Sequence, residues 1–326
     1  MSISPTQFET FLNDLPANLA SEKNLAVAVS GGADSLALAI LLSEWREDKN
    51  IKLHALTVDH GLRPESAAEA KYVAKTLKPF GISHKTLLWD GIKPKTKIQE
   101  AARDARYSLM SEYCSAKKIK FLFLAHHGQD QIETILFRMA KGTGLDGLIG
   151  MRPLSHLENG LTLVRPLLRL SHKDLCDTLK SKKIDWIEDP SNINQRYARV
   201  RIRNVIDVLE NEGLTPSRMS SLSDRVAQSV DLIDYLIDKE YNNMILYKDT
   251  QRIEINYNSL LSLPLAGKIR ILKQIISSLM PHKKHPARLE DIERLVAQMD
   301  KNFRGSTLGK CQFKCKKDCL VILREI

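Results

Sequence analysis

Cysteine is scarce in this chain. Five residues in 326, odd in number and scattered, contain no Cys-x-x-Cys pair. Such a set does not build a disulfide framework and fits a reducing cytoplasm. Long apolar runs are missing too. No stretch approaches the roughly 18 uninterrupted apolar residues of a membrane span. The opening "MSISPTQFETFLNDLP" lacks the basic segment and apolar run of a secretory signal. A cytoplasmic protein without membrane contact is expected. Several catalytic signatures are also absent. The glycine-rich turn Ser30–Ser35 has no Gly-Lys-Ser/Thr ending, so it is not the usual ATP-holding P-loop. It has no Gly-x-Ser-x-Gly spacing, which excludes a nucleophile elbow there. The acidic and histidine-rich stretch Leu124–Thr134 does not meet His-Glu-x-x-His. Internal repeats and low-complexity tracts are lacking.

What is present is enough for a large core: 43% of residues are hydrophobic, and the length suggests two or three domains. Forty-nine basic against 39 acidic residues leave a net charge of +10. That excess points to an anionic partner, nucleic acid first, although plain solubility explains it about as well.

Apolar, β-branched runs at Leu25–Val29, Leu53–Val58, Ser83–Leu88 and Lys120–Leu124 alternate with helical periodicity at Ser35–Arg46, Glu65–Phe80, Lys97–Lys117 and Gln129–Ala140. This alternation predicts βαβ units and a mostly parallel sheet, with ligands at the carboxyl ends of the strands. The loops after Val29, Val58 and Leu124 are therefore the places for a site. From Ser171 an amphipathic helix is expected, with Ser171 as its N-cap. Beyond Thr215 the chain reads as helical and polar, then as mixed strand and helix. The expected division is a catalytic domain over 1–214, a helical linker over 215–249 and a small α+β domain over 250–326.

In "SGGADS", Gly31 and Gly32 let the backbone approach a phosphate, and the amides around Ala33 point at the anion. Ser30 and Ser35 add hydroxyls, and Asp34 suits a Mg²⁺ ion that binds the phosphates. A plain βα turn is the bland alternative. In "LAHHGQDQIET", Asp130 and Glu133 share a helical face near His126 and His127. They suit a divalent metal or a substrate ammonium, or else a solvated helix start. In "TVDHGLRPES", His60 and Arg63 suit an anion, although a capped helix start accounts for the stretch as well. In "QEAARDARY", Arg103 and Arg106 share a face and suit a phosphate, although pairing with Glu100 and Asp104 is the ordinary explanation of such arginines. "KGTGLDG" has dinucleotide-like glycine spacing but follows a helix, so a flexible loop closing over a substrate is expected there. In "WIEDPSNINQRYARVRIRNVI", Arg199 and Arg203 share a face and Arg201 points elsewhere. Nucleic-acid contact and a solvated basic face are equally open. Cys311, Cys315 and Cys319 fit no zinc or iron–sulfur spacing and read as small apolar residues.

Taken in order, "SGGADS", "VDHGLRPES", "QEAARDARY", "LAHHGQDQIET", "RMAKGTGLDGLIGM", "RPLL" and "WIEDPSN" resemble the PP-loop ATPases, and within them the tRNA(Ile)-lysidine synthetases. The resemblance spans residues 25 to about 205. It implies a PP-loop domain of the adenine nucleotide alpha hydrolase type, followed by a helical linker and a small α+β domain. The implied reaction adenylates the C2 oxygen of the wobble cytidine in the CAU anticodon of tRNA(Ile). Free L-lysine then attacks through its ε-amine, AMP leaves, and the resulting lysidine decodes AUA in place of AUG. ATP and Mg²⁺ are implied. By motif, Ser30, Gly31, Gly32, Ala33, Asp34 and Ser35 hold ATP, and Asp34 and Asp130 hold the metal. Asp130 and Glu133 meet lysine, Arg103 or Arg106 meets the α-phosphate, and Arg199, Arg201 and Arg203 meet tRNA. A homodimer is compatible with the resemblance. The tail "TLGKCQF…LVILREI" resembles the end of the family's first C-terminal domain, so the second one of longer members is expected to be missing. The rivals are a tRNA thiolase, disfavoured by the lack of Cys-x-x-Cys, a small-molecule amidating synthetase, and a non-enzymatic RNA-binding module.

Overall fold

The computed structural model describes residues 2–61, 65–91, 93–94, 96–188, 198–281, 287–299 and 303–325. Two compact units divide at Ala227 and Gln228.

In the first unit, α1 (Pro5–Asn13) precedes β1 (Asn24–Ala28), α2 (Ala33–Trp45), β2 (Lys52–Asp59), α3 (Ser66–Leu77) and β3 (Ser83–Leu88). Then follow α4 (Ile98–Ala116), β4 (Phe121–Phe123), α5 (Gly128–Met139), the single turn α6 (Leu145–Leu148), β5 (Leu154–His156) and β6 (Thr162–Val164). The unit continues with α7 (His172–Ser181) and α8 (Ala198–Asn211). The boundary falls inside α9 (Pro216–Met244), so the expected linker is part of one 29-residue helix and not a body of its own.

The sheet order is β3-β2-β1-β4-β6-β5, parallel except for β5. Each expected parallel strand is present within a residue or two. The β5–β6 hairpin has no counterpart in the sequence reading, because its three-residue strands, unlike β4, do not stand in a longer uninterrupted apolar run such as Phe121–Ala125. Likewise α1 went unread, although Ser4 caps it in a box with Gln7 and Pro5 opens it. Residues Leu36–Ser43 of α2 are buried all round. They lie in one core with Phe8 and Leu12 of α1, Val73 and Leu77 of α3, and Leu175 and Leu179 of α7. The other face of the sheet packs Ala26, Leu56, Leu122 and Leu163 against Met110 and Cys114 of α4. Covering both faces is what a parallel sheet requires. A small satellite core joins Ile132 and Ile135 of α5 to Ile206 of α8 and Met219.

Strand order reverses between β1 and β4. An open α/β sheet binds its ligands in the crevice beyond the carboxyl ends at such a point. The chain leaves β1 into Ser30–Ser35 and leaves β4 into His126–Asp130, so topology places both stretches at one crevice.

The second unit continues α9 with β7 (Ile245–Lys248), β8 (Arg252–Asn256), α10 (Tyr257–Ser262), α11 (Leu265–Leu279), α12 (Leu289–Met299), β9 (Gly305–Leu308), β10 (Cys311–Lys316) and β11 (Cys319–Arg324). The five strands form an antiparallel sheet ordered β7-β8-β11-β10-β9. Its core joins Ile253, Phe313 and Ile322 to Leu272 and Ile276 of α11 and Leu295 and Val296 of α12. "RIEINYNSL" is strand only as far as Asn256, whose side chain accepts from Ser259 N at 2.9 Å and starts α10. Cys311 is fully buried in this core, Cys315 packs against it, and neither is in a disulfide.

The described non-glycine residues with positive φ are all lysines: Lys97, Lys118, Lys183, Lys310 and Lys317. Lys118 and Lys183 follow α4 and α7 where helices usually place glycine. The next amides, Ile119 N and Ile184 N, reach back to Cys114 O at 2.8 Å and Leu179 O at 3.1 Å. No helix among the described residues is long and apolar enough to cross a membrane.

Candidate active site

The turn after β1 is closed by its two serines. Ser30 N donates to Ser35 Oγ at 3.1 Å, and Ser35 Oγ donates to Gly32 O at 3.0 Å. Ser30 Oγ lies 3.3 Å from the same hydroxyl. Gly31 has φ +94°, and a Cβ there would stand 2.8 Å from Ile187 Cδ1. Glycine is therefore required for both backbone and space. Ile187 N also donates to Gly31 O at 3.0 Å, which fastens the described part of "WIEDPSN" onto the turn. Gly32 is the N-cap of α2 and no side chain caps it. The first amides of a buried apolar helix are thus left to an anion.

Three helices begin beside this turn. Gly128 N donates to Leu170 O at 2.8 Å, and His172 N donates to Gln129 Oε1 at 3.0 Å. These bonds fix the starts of α5 and α7 to each other. A Cβ on Gly128 would lie 2.3 Å from Pro216 Cβ, so only glycine permits the approach. Asp34 in the first turn of α2 then meets both helices. Its Oδ1 lies 2.7 Å from His172 Nδ1, and its Oδ2 lies 3.7 Å from His127 Nε2. Asp130 Oδ2 stands 3.5 Å from the same Nε2 and accepts from His127 N at 3.1 Å. The hydrogen bond that His172 donates to Asp34 raises the His172 pKa against the opposing effect of burial.

Glu133 is buried, and Arg203 Nε donates to its Oε2 at 2.7 Å. Arg203 also lies 3.6 Å from Asp130 Oδ1. Packing of α8 on α5 sets the guanidinium of Arg203, its side chain still 44% exposed, against both carboxylates. Arg201 is exposed, as expected of a residue on another face of α8. The side chain of Arg199 lies outside the described residues, as do Arg63 and the "DPSN" part of its motif.

A basic wall adjoins the acidic cluster. Burial pushes the His126 pKa down to about 4, with the charges of Arg165 and Arg103 adding and Asp130 opposing. Arg103 stacks on Tyr107 at 5.1 Å. Arg106, lowered mainly by burial, reaches His60 Nε2 at 3.5 Å. Arg165 donates through its NH1 to Arg152 O and Ser155 Oγ, both at 2.9 Å, while its buried Nε has no partner. "KGTGLDG" is not loop throughout: α6 occupies its second half. Arg138 donates to Gly150 O at 2.8 Å, and Gln131 accepts from Met151 N at 2.7 Å just beyond. The expected closing loop is thus anchored at one end.

The structure therefore gathers Ser30, Gly31, Gly32, Ala33, Asp34, Ser35, Asp130 and Glu133, with Arg103 beside His126 and Arg106 beside His60. Sequence reasoning missed His172, Arg165 and the pairing of Arg203 with Glu133. The only local signal for His172 was its place immediately after the Ser171 cap, which "SHKD" displays without any hint of Asp34.

Residues 2–209 match the PP-loop domain family model. A tRNA(Ile)-lysidine synthase from Wolbachia pipientis wMel is 33% identical over 97% of this chain and 74% of its own length. One from Ruegeria pomeroyi is 34% identical over 93% and 72%, and one from Methylobacterium nodulans is 38% identical over 83% and 80%. Among solved structures, a U34-tRNA thiolase from Methanococcus maripaludis with its [4Fe-4S] cluster shares the fold, with a TM-score of 0.58 and 17% identity over 68% of this chain and 78% of that one. With a PP-loop domain over most of its length and relatives above 30% identity along nearly all of it, the chain belongs to the tRNA(Ile)-lysidine synthase family.

Proposed function

We propose that this ligase joins L-lysine to C2 of the wobble cytidine in the CAU anticodon of tRNA(Ile), at the expense of ATP, through an adenylated tRNA. The product decodes AUA as isoleucine. The reading is carried by one juxtaposition: the Ser30–Ser35 turn and the Asp34–His127–Asp130 cluster share the crevice between β1 and β4.

The C2 oxygen attacks the α-phosphorus of ATP and pyrophosphate leaves. Amides of the turn and of the start of α2 hold the β,γ-phosphates. Arg103 and Arg106 face the charge that develops on the α-phosphate. The ε-amine of lysine, after losing a proton, then attacks C2 and AMP departs with the C2 oxygen. Asp34 and Asp130 fit a Mg²⁺ ion, because each offers a carboxylate within 4 Å of His127 Nε2 and such ions take one or two carboxylates plus phosphate oxygens and water. When bound, the ion neutralises charge on the leaving pyrophosphate. For lysine, Asp130 is the more accessible partner. A lysine ammonium reaching Glu133 would replace Arg203, since the Glu133 side chain is only 3% exposed.

Binding of the tRNA body falls to basic residues of α8, the exposed Arg201 among them. A thiolase chemistry finds no support in Cys114, whose thiol burial pushes up to about 12. The deciding experiment combines protein, ATP, Mg²⁺, labelled lysine and tRNA(Ile) bearing CAU. Label is expected in the tRNA, with one AMP formed per lysine. Intact tRNA and folded protein without incorporation would refute the proposal.

A further inference from the structure

We propose that Asp34, His127 and His172 form a binding site for a first-row transition-metal dication of the zinc class. One donor atom from each lies within 4.8 Å of the others, the only such group among the described residues. Two imidazoles and one carboxylate suit Zn²⁺ and its neighbours, whereas Mg²⁺ prefers oxygen ligands. Asp34 is central. His172 Nδ1 stands at one of its oxygens at 2.7 Å and His127 Nε2 at the other at 3.7 Å, with the two rings 5.6 Å apart.

The geometry is close to what a cation needs. Donors bound at about 2.0–2.2 Å in a tetrahedral site lie roughly 3.5 Å from one another. A shift of about 1 Å in this cluster therefore suffices. His127 is buried, while His172 is half exposed. Cys176 Sγ lies 3.4 Å from His172 Nε2, so the second nitrogen of that ring already has a partner, as ligating histidines usually do. All three residues sit at helix starts, and the starts of α5 and α7 are tied together by the bonds from Gly128 and His172. Three protein ligands leave a position for water or a phosphate oxygen.

Because Asp34 also belongs to the phosphate turn, a cation held there keeps Mg²⁺ from it, and the site is inhibitory. Binding does not depend on the reaction proposed above; the inhibition does.

The test is a Co²⁺ titration of the full chain without nucleotide, read by ligand-field absorption, with Zn²⁺ competing. One His172-dependent equivalent is expected, displaced by Zn²⁺. In His172→Ala, checked for folding by circular dichroism, affinity for that equivalent falls by more than about tenfold. Cys176→Ser retains the absorption. The proposal is overturned if no equivalent depends on His172, or if the absorption is a thiolate band that Cys176→Ser removes. Lysine incorporation is measured separately, on the unsubstituted chain in Mg²⁺ buffer stripped of transition metals, so the two proposals fail separately.

Discussion

Asp34 serves three neighbours at once: the anion-binding turn, His127 and His172. Asp34→Ala is expected to abolish pyrophosphate release while leaving tRNA affinity within about twofold, since phosphate contacts dominate that affinity. Filter binding and a pyrophosphate assay on one preparation separate the two. Arg203 is the partner of a buried carboxylate, and removing one member of such a pair leaves the other unsatisfied. Arg203→Ala should cost about 1–3 kcal/mol in urea unfolding, and adding Glu133→Gln should restore most of it. No recovery in the double variant would show that Arg203 acts through other contacts. His54 is a pH reporter away from the site. Its ring lies between Tyr113 Oη at 3.0 Å and Asn24 Oδ1 at 3.3 Å, and burial, then Lys52 and Lys117, lower its pKa. Below the ordinary value of 6.5 the unfolded chain takes up the proton first. The contribution of His54 to stability is therefore flat above that pH and falls below it, and His54→Gln should lessen the fall in urea midpoints.

Helix α2 illustrates what the sequence made legible at the element scale. Its unbroken apolar run after a glycine turn can only lie under a covered sheet, and Leu36–Ser43 are buried on every side. Leu38→Ala should cost about 2–5 kcal/mol, measured by denaturant unfolding. The turn, the four parallel strands and the Ser171 cap were equally readable, because each follows from neighbouring residues. Arg203 and His172 were not. Their partners are 70 and 138 residues away in sequence, and only the docking of α8 on α5 and of α7 on α2 brings them together. Spacing along α8 identified which arginines share a face, but not that Arg203 would meet a buried glutamate. The three-residue strands β5 and β6 failed to register for a local reason: unlike β4, they stand in no longer uninterrupted apolar run.

For the whole molecule, the net charge of +10 gains a use if tRNA is the partner. The logarithm of tRNA affinity should fall linearly with the logarithm of salt concentration, by about 0.7–0.9 per phosphate contacted. A flat line in a fluorescence titration would contradict the electrostatic account. The sequence reading named the family because its motifs come in order along the first unit. It placed the domain boundary by a change of composition near residue 215, whereas contacts divide within α9, since a continuous helix leaves no polar, glycine-rich break to read.

The lysines in left-handed backbone have a practical consequence. A side chain there costs about 1–2 kcal/mol, against roughly 0.5–1 for the extra freedom glycine loses on folding. Lys118→Gly and Lys183→Gly should each raise stability, by about 0.5–1 kcal/mol on that difference, and their effects should add because the sites are independent. Both lie at helix ends opposite the starts where the chemistry is placed. The fold thus has headroom for thermal hardening that leaves catalysis alone, and melting curves with matched turnover assays would measure how much.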